Sequence, residues 1–217
     1  MEKRIYVWEA PVRVTHWISV FCLVTLALTG VYIGNPFITA TSADQYIMGW
    51  VRFVHFVAAY IFVVNLAVRI YWSFAGNKYA TWKALFPFSQ ERIITLFRQM
   101  SFYALISTKP PQEIGHTPLG GIVYFLILVL CGISAITGFA LFSLYNPAGP
   151  MHILFGWVFS LAAIATVRLI HHLIMWFLIY FVIVHIYVVL FLDSVEKNGL
   201  LSSIFDGYKF VEEEKTN

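Results

Sequence analysis

The stretch Arg168–His185, RLIHHLIMWFLIYFVIVH, decides the fold class of this chain. It lies in an apolar run from about 165 to about 192, and about 20 such residues cross the hydrocarbon core of a bilayer. Within this run stand three histidines, His171, His172 and His185. An ionisable side chain inside a membrane helix is energetically expensive and indicates function. The stretch therefore predicts a membrane helix with functional histidines.

The composition of the whole chain also indicates a membrane protein. Of its 217 residues, 60% are hydrophobic and 12% are charged, whereas a soluble domain has about 25% charged residues. Cys22 and Cys131 form no CxxC pair, and no CxxCH motif occurs, which argues against disulfides, a thiolate zinc site and covalent haem. No stripe of basic and aromatic residues suggests nucleic-acid binding. We expect one bundle embedded in lipid.

Further apolar stretches complete the predicted fold class, an all-α membrane protein with a four-transmembrane-helix bundle. The segment Met151–Ile164 is also apolar. A helix from 151 to 192 would overshoot the membrane, so we interpret 151–164 as a separate interfacial helix; a fifth span is the alternative. The predicted spans are 11–34, 47–74, 119–144 and 165–192.

Lysine and arginine predict the orientation of the bundle. Of the 14 such residues, all but Arg52 and Arg168 lie in the N-terminal arm, the segment 69–109 or the C-terminal tail. By the positive-inside rule, both termini and the loop 75–118 are cytoplasmic, and the segments 35–46 and 145–164 are periplasmic. Lys109 and Lys215 are among the residues on the predicted cytoplasmic side.

Helix geometry and depth arrange the histidines in two pairs. His171 and His185 are 14 residues apart, which is about 40° short of four turns and about 21 Å along the axis, whereas His172 points about 140° away from His185. The first helix carries His16 in its inner part, and the second carries His55 in its outer part. Depth therefore pairs His16 with His185 on the cytoplasmic side and His55 with His171 on the periplasmic side.

Each histidine pair can supply two axial imidazoles to one iron, so the chain is predicted to bind two b-type haems. Filling both axial positions suits electron transfer better than oxygen binding. A copper, zinc or di-iron site would need three or more ligands at one point, often with carboxylates, which the four spans essentially lack. A small transporter whose histidines relay protons is a further alternative, and it would show no haem absorption.

An arginine stands three residues before three of the predicted ligands, and positions i and i+3 share a helix face. We interpret these arginines as candidate contacts for haem propionates. Snorkelling is the alternative for two of them, and an inside-positive charge is the alternative for the third. The pairs are Arg52 with His55, Arg168 with His171, and Arg13 with His16.

Two long motifs resemble the cytochrome b subunit of membrane-bound nickel–iron hydrogenases. RVTHWISVFCLVTLALTG (13–30) is similar to the family's N-terminal signature, R-x-x-H-W followed by an apolar run that ends in T-G. RLIHHLIMWFLIYFVIVH (168–185) resembles its C-terminal signature, in which the first histidine of the doublet is fixed, and this favours His171 over His172. Shorter likenesses, which extend over nearly the whole chain, are EAPVR (9–13), RFVHF (52–56), RIYWSFAGN (69–77) and IGHTPLG (114–120).

The resemblance implies an electron-transfer subunit of the bacterial inner (cytoplasmic) membrane. A periplasmic hydrogenase, with a nickel–iron large subunit and an iron–sulfur small subunit, would deliver electrons from H2 to the periplasmic-side haem. They would pass to the cytoplasmic-side haem and then to quinone, menaquinone or ubiquinone. The alternative is the related haem b subunit of a formate dehydrogenase or another periplasmic oxidoreductase. No catalytic residue is assigned.

The predicted quinone site lies beside the loop that enters the third helix. It consists of Glu113, His116 and Thr117. His116 would hydrogen-bond a quinone carbonyl, and Glu113 would relay a proton. The alternative is that His116 merely caps the loop.

Overall fold

The structure is a computed structural model, and it describes residues 2–42, 44–108, 110–111 and 113–212. Lys109 and Lys215, which contribute to the predicted orientation, lie outside the described residues. The elements in chain order are β1 (Glu2–Tyr6), α1 (Ala10–Gly34), α2 (Ile47–Ala75), α3 (Trp82–Leu85), α4 (Gln90–Tyr103), α5 (Pro118–Ser143), α6 (Pro150–Phe155), α7 (Val158–Leu161), α8 (Ile164–Glu196), α9 (Ser203–Asp206) and β2 (Tyr208–Glu212).

Four helices of the described part of the chain are long and apolar enough to cross a membrane: α1, α2, α5 and α8. The prediction of four such helices is confirmed. Their ends differ from the predicted span ends by at most four residues, and the largest difference is at the C-terminus of α8, which continues to Glu196. Helices satisfy their backbone polar groups internally, which is the form that a lipid environment requires.

The apolar segment before α8 forms two short helices, α6 of six residues and α7 of four. Neither is long enough to cross a bilayer, which takes about 20 helical residues. Val158 of α7 is buried in one cluster with Ala140 and Val167. The interfacial location of this segment stays a prediction.

The chain is mostly helical rather than all-α, because β1 and β2 pair as a two-stranded antiparallel sheet. Lys3 stands opposite Val211, and Tyr6 stands opposite Tyr208. The expectation of a purely helical fold was wrong here, since strands at opposite ends of the chain carry no hairpin turn signal between them. The sheet joins the two terminal segments, which agrees with an even number of spans.

The predicted 75–118 loop contains the amphipathic helix α4. Ser89 caps its N-terminus, where the hydroxyl accepts a hydrogen bond from the Arg92 backbone N–H at 3.3 Å. Phe102 is buried and stacks on Phe191 of α8, with ring centroids 6.1 Å apart. This packing attaches the loop to a membrane-spanning helix.

The chain divides into two compact units. Unit 1 consists of Met1–Trp17, Leu66–Leu126 and Ile183–Asn217, and unit 2 consists of Ile18–Asn65 and Ile127–Val182. Each unit contains one of the predicted histidine pairs.

Candidate functional site

His16 and His185 come together in unit 1. Their ring centroids are 6.5 Å apart, and the ring planes make an angle of 50°. Two imidazoles that share one metal through bonds of about 2 Å have ring centroids about 6 Å apart. Among the described residues, the buried Nδ1 of His16 has no hydrogen-bond partner. The spacing and this unpaired nitrogen fit a shared metal ion.

His55 in unit 2 is oriented by a threonine of α1. Its Nδ1 lies 2.8 Å from the Thr29 hydroxyl, and that hydroxyl donates its own hydrogen to the Thr25 carbonyl at 2.6 Å. The hydroxyl oxygen therefore accepts from Nδ1–H of His55. This tautomer leaves a lone pair on Nε2, which is the usual arrangement of a metal-binding histidine.

His171 has the same tautomer as His55, for an independent reason. Its Nδ1 lies 3.1 Å from the Ser134 carbonyl oxygen and 3.1 Å from the Thr137 hydroxyl. A carbonyl only accepts, so Nδ1 carries the hydrogen and Nε2 keeps its lone pair. His55 and His171 both belong to unit 2. Unit 2 thus contains a second pair of imidazoles prepared for metal ligation.

A glycine of α5 makes room for the His171 ring. A Cβ atom on Gly138 would lie 2.9 Å from His171 Cε1, which is closer than side chains normally approach. Any side chain at this position would displace the imidazole. The glycine is therefore part of the geometry of the unit 2 pair.

His172 is held differently from His171. Its Nδ1 donates to the Arg168 carbonyl of its own helix at 2.9 Å. Its Nε2 faces Gly34, since a Cβ on that glycine would lie 2.8 Å from this nitrogen. Both ring nitrogens of His172 thus lie against backbone, which favours His171 as the ligand.

The pairs fit haem iron better than a metal bound by protein alone. Within the residues that the structure describes, no group of three or more His, Cys, Asp or Glu side chains could hold a metal ion. Haem needs only two protein ligands, because the porphyrin supplies the other four nitrogens. Two separate imidazole pairs are therefore suited to two haems.

The three predicted propionate contacts have different surroundings. Arg52 and Arg168 are exposed. Arg13 donates from Nη1 to the Phe205 carbonyl, and its buried Nε has no partner among the described residues. Arg13 is therefore fixed in unit 1 with one donor left to satisfy.

His116 is partly buried in unit 1. Its Nδ1 donates to the Tyr79 carbonyl at 3.3 Å, and its ring contacts those of Trp8 and Tyr124 at centroid distances of 4.8 and 5.4 Å. Burial and, next, the nearby Arg69 lower the pKa of His116 to about 4. The imidazole is thus neutral at pH 7, and its Nε2 can accept but not donate a hydrogen bond.

Glu113 and Thr117 belong to the same polar region as His116. Arg92 Nη1 is 3.9 Å from a Glu113 carboxylate oxygen, and Nη2 donates to the His116 carbonyl at 3.2 Å. The Thr117 hydroxyl accepts from Gln99 Nε2 at 2.8 Å and from the backbone at the start of α5. Arg92 therefore links Glu113 to His116, and Thr117 follows His116 directly in the chain. His116 and Thr117 also stabilise the local fold through their hydrogen bonds to Tyr79 and Gln99.

Two buried cations of unit 1 are absent from the predicted site. Arg69 is 7% exposed and Lys209 is 3% exposed. Burial lowers the pKa of Lys209, while Glu196 and Glu113 oppose this effect. Arg69 could have been identified from the sequence as a candidate functional residue, because it is a charged residue within an apolar span.

The model of the prokaryotic cytochrome b561 family matches residues 7–207. The chain belongs to this family. A relative from Rhizobium leguminosarum bv. viciae, a probable Ni/Fe-hydrogenase B-type cytochrome subunit, is 38% identical over 94% of this chain and 88% of its own length. One of the same description from Cupriavidus necator is 37% identical, over 95% and 87%. A probable Ni/Fe-hydrogenase 1 B-type cytochrome subunit from Escherichia coli K12 is 32% identical, over 94% and 90%.

These findings confirm the predicted resemblance to the cytochrome b subunit of nickel–iron hydrogenases. As a cytochrome b561 family member, the protein is a multi-pass b-type cytochrome of membrane electron transport. Family membership implies b-type haem, and the two imidazole pairs are the places in this cytochrome that fit it.

Proposed function

We propose that this cytochrome anchors a periplasmic nickel–iron hydrogenase in the bacterial inner membrane and transfers electrons from H2 oxidation to quinone. The observation that carries the proposal is the facing pair of His16 and His185, 6.5 Å apart by ring centroids. The names of three relatives, all of them Ni/Fe-hydrogenase cytochrome subunits, indicate the partner.

Haem, when bound, supplies a one-electron redox centre, and the chain supplies its position and surroundings. His55 and His171 hold the haem on the periplasmic side, and His16 and His185 hold the haem on the cytoplasmic side. Two imidazoles would hold each haem, an arrangement that would suit electron transfer better than oxygen binding. Arg52 and Arg168 would contact the haem propionates on the periplasmic side, and Arg13 would contact those on the cytoplasmic side.

The partner on the periplasmic side is the hydrogenase small subunit, whose iron–sulfur clusters deliver the electrons, and through it the nickel–iron large subunit. Both termini of this chain face the cytoplasm, as the lysine and arginine distribution indicates. Quinone is reduced towards the cytoplasmic side, so protons are released outside and taken up inside. The chain thereby contributes to charge separation.

The quinone, menaquinone or ubiquinone, binds beside Glu113, His116 and Thr117. Because the Nδ1–H of His116 is directed at the Tyr79 carbonyl, its Nε2 accepts a hydrogen bond from the hydroxyl of the reduced quinone. Glu113, which is 24% exposed and close to Arg92, relays the proton. This assigns His116 the role of an acceptor rather than a donor.

Purification of the complex with its cytochrome tests the partner. Nickel in the purified complex supports the proposal, whereas molybdenum would support the alternative, a formate dehydrogenase haem subunit. A preparation without haem absorption would support a transporter instead.

The substitution His185→Ala tests the electron path. The hydrogenase should keep its H2-dependent reduction of artificial dyes but lose H2-dependent quinone reduction. His172→Ala is the matched control on the same helix and should keep both activities. Quinone reduction that survives His185→Ala would contradict the path.

A further inference from the structure

We propose that Arg69 binds a propionate of the haem held by His16 and His185. The proposal rests on the assignment of that haem to these histidines. All three residues belong to unit 1.

Arg69 is a buried cation that forms no ion pair with a carboxylate among the residues that the structure describes. It is 7% exposed, and its Nη1 donates to the Ser73 hydroxyl at 3.1 Å. Among the described residues, no carboxylate oxygen lies within 4.0 Å of its guanidinium, whereas Arg4 and Arg92 each have one. Charges taken out of water are normally paired, because their desolvation is otherwise uncompensated.

The groups around Arg69 do not compensate its charge. Its guanidinium carbon lies 5.0 Å from the centroid of the Tyr124 ring, which is a cation–π contact. The nearby imidazole of His116 is neutral at pH 7, because its pKa is lowered to about 4 by burial and by Arg69. The positions around Arg69 are thus suited to an anion that the described part of the chain does not supply.

The packing of α1 against α2 brings Arg69 to the level of His16. Trp72 of α2 donates to the Glu9 carboxylate at 2.9 Å and packs on the apolar cluster that contains Val12. His16 follows Val12 by four residues, and Arg69 precedes Trp72 by three, so each is one turn away on the same face. The start of α1 and the end of α2 share unit 1, so the two helices run in opposite directions. His16 and Arg69 therefore lie on the same side of the apolar cluster, each one helical turn away from it.

The carboxylates of haem are chemically suited to the guanidinium of Arg69. A b-type haem carries two propionate carboxylates, and guanidinium binds carboxylates through two parallel hydrogen bonds. In addition, Arg69 follows His55 by the same 14 residues that separate His185 from His171. This spacing keeps two side chains of a helix within about 40° of one direction. Arg69 thus lies on nearly the same face of α2 as His55, about four turns further along the helix, in the unit that contains His16 and His185.

The first test measures the potential of the haem on His16 and His185 alone, in a His55→Ala background and with quinone removed. Optical redox titration should show that adding Arg69→Gln lowers the midpoint potential, because a nearby positive charge favours the reduced iron. Arg69→Lys should keep most of the potential. Arg98→Gln, at an exposed arginine of α4, is the control and should change nothing.

The second test identifies the propionate. Full-length His55→Ala protein produced without haem is titrated with haem b and with its dimethyl ester, in which both propionates are neutral. Esterification should weaken binding about tenfold or more when Arg69 is present. With Arg69→Gln, the difference in affinity between the two compounds should shrink. If the Arg69→Gln protein does not fold, the same comparison is made with Arg69→Lys, where the ester penalty should persist.

The outcomes separate this proposal from the haem assignment. If the His55→Ala protein binds no haem, the assignment to His16 and His185 fails. If it binds one haem, and neither its potential nor its ester penalty depends on Arg69, only the Arg69 proposal is overturned. A higher KM for quinone with an unchanged haem potential would also overturn it.

Discussion

Enlarging Gly138 should weaken binding of the haem held by His55 and His171. The Cβ atom of Gly138→Ala would lie 2.9 Å from Cε1 and 3.6 Å from Nδ1 of the His171 ring. The ring must move, and the hydrogen bonds of its Nδ1 to Ser134 and Thr137 hold it where it is. Overpacking of this kind costs about 1–3 kcal/mol. Since about 1.4 kcal/mol is a factor of ten, haem affinity should fall about 5- to 150-fold.

Gly132→Ala is the matched control, because it lies on the same helix and its added Cβ meets nothing within 4 Å. Both substitutions gain the same helix propensity, about 1 kcal/mol, so the difference between them isolates the His171 contact. The assay is the pyridine haemochrome of purified protein during haem titration. Equal haem retention in the two variants would refute the role assigned to His171.

Three further predictions concern single side chains. Thr29→Val removes the acceptor of His55 Nδ1–H and should weaken haem binding about 10- to 100-fold. Thr25→Val, whose hydroxyl donates to the Phe21 carbonyl of its own helix, should not; haem titration measures both. His171→Ala should leave one haem per chain and His172→Ala two, and the reverse pattern would contradict the tautomer argument. The pKa of His116 is lowered from 6.5 to about 4 in the folded protein. Between pH 6.5 and pH 4, His116 is therefore protonated in the unfolded chain and neutral in the folded one. The His116 contribution should therefore destabilise the fold by up to about 3 kcal/mol as pH falls from about 6.5 towards 4; thermal unfolding of His116→Gln should show a weaker pH dependence.

The four long helices could be predicted from the sequence because lipid imposes a simple rule on length and polarity. The pairing of His16 with His185 needed only helix direction and depth, and the structure brings these two rings together. Their role as haem ligands stays a prediction. The choice of His171 over His172 rested on the 3.6-residue period, and the different hydrogen bonds of the two rings favour the same choice.

Features that depend on distant segments could not be predicted in this way. The pairing of β1 with β2 joins the two terminal segments of the chain, and neither strand carries a strong alternating pattern of its own. The tautomer of His116 depends on the Tyr79 carbonyl, 37 residues away. The lack of a carboxylate beside Arg69, among the residues that the structure describes, likewise depends on which segments pack around it. Helix α4 could have been found, because Ser89 is a favourable N-cap and an amphipathic pattern follows.

The stoichiometry of haem tests the central claim most directly. The pyridine haemochrome of the purified chain should give close to two b-type haems per polypeptide. It should fall to one in His185→Ala and to one in His55→Ala, because each substitution removes a ligand of a different pair. A chain without haem, or two haems retained in either variant, would contradict the account.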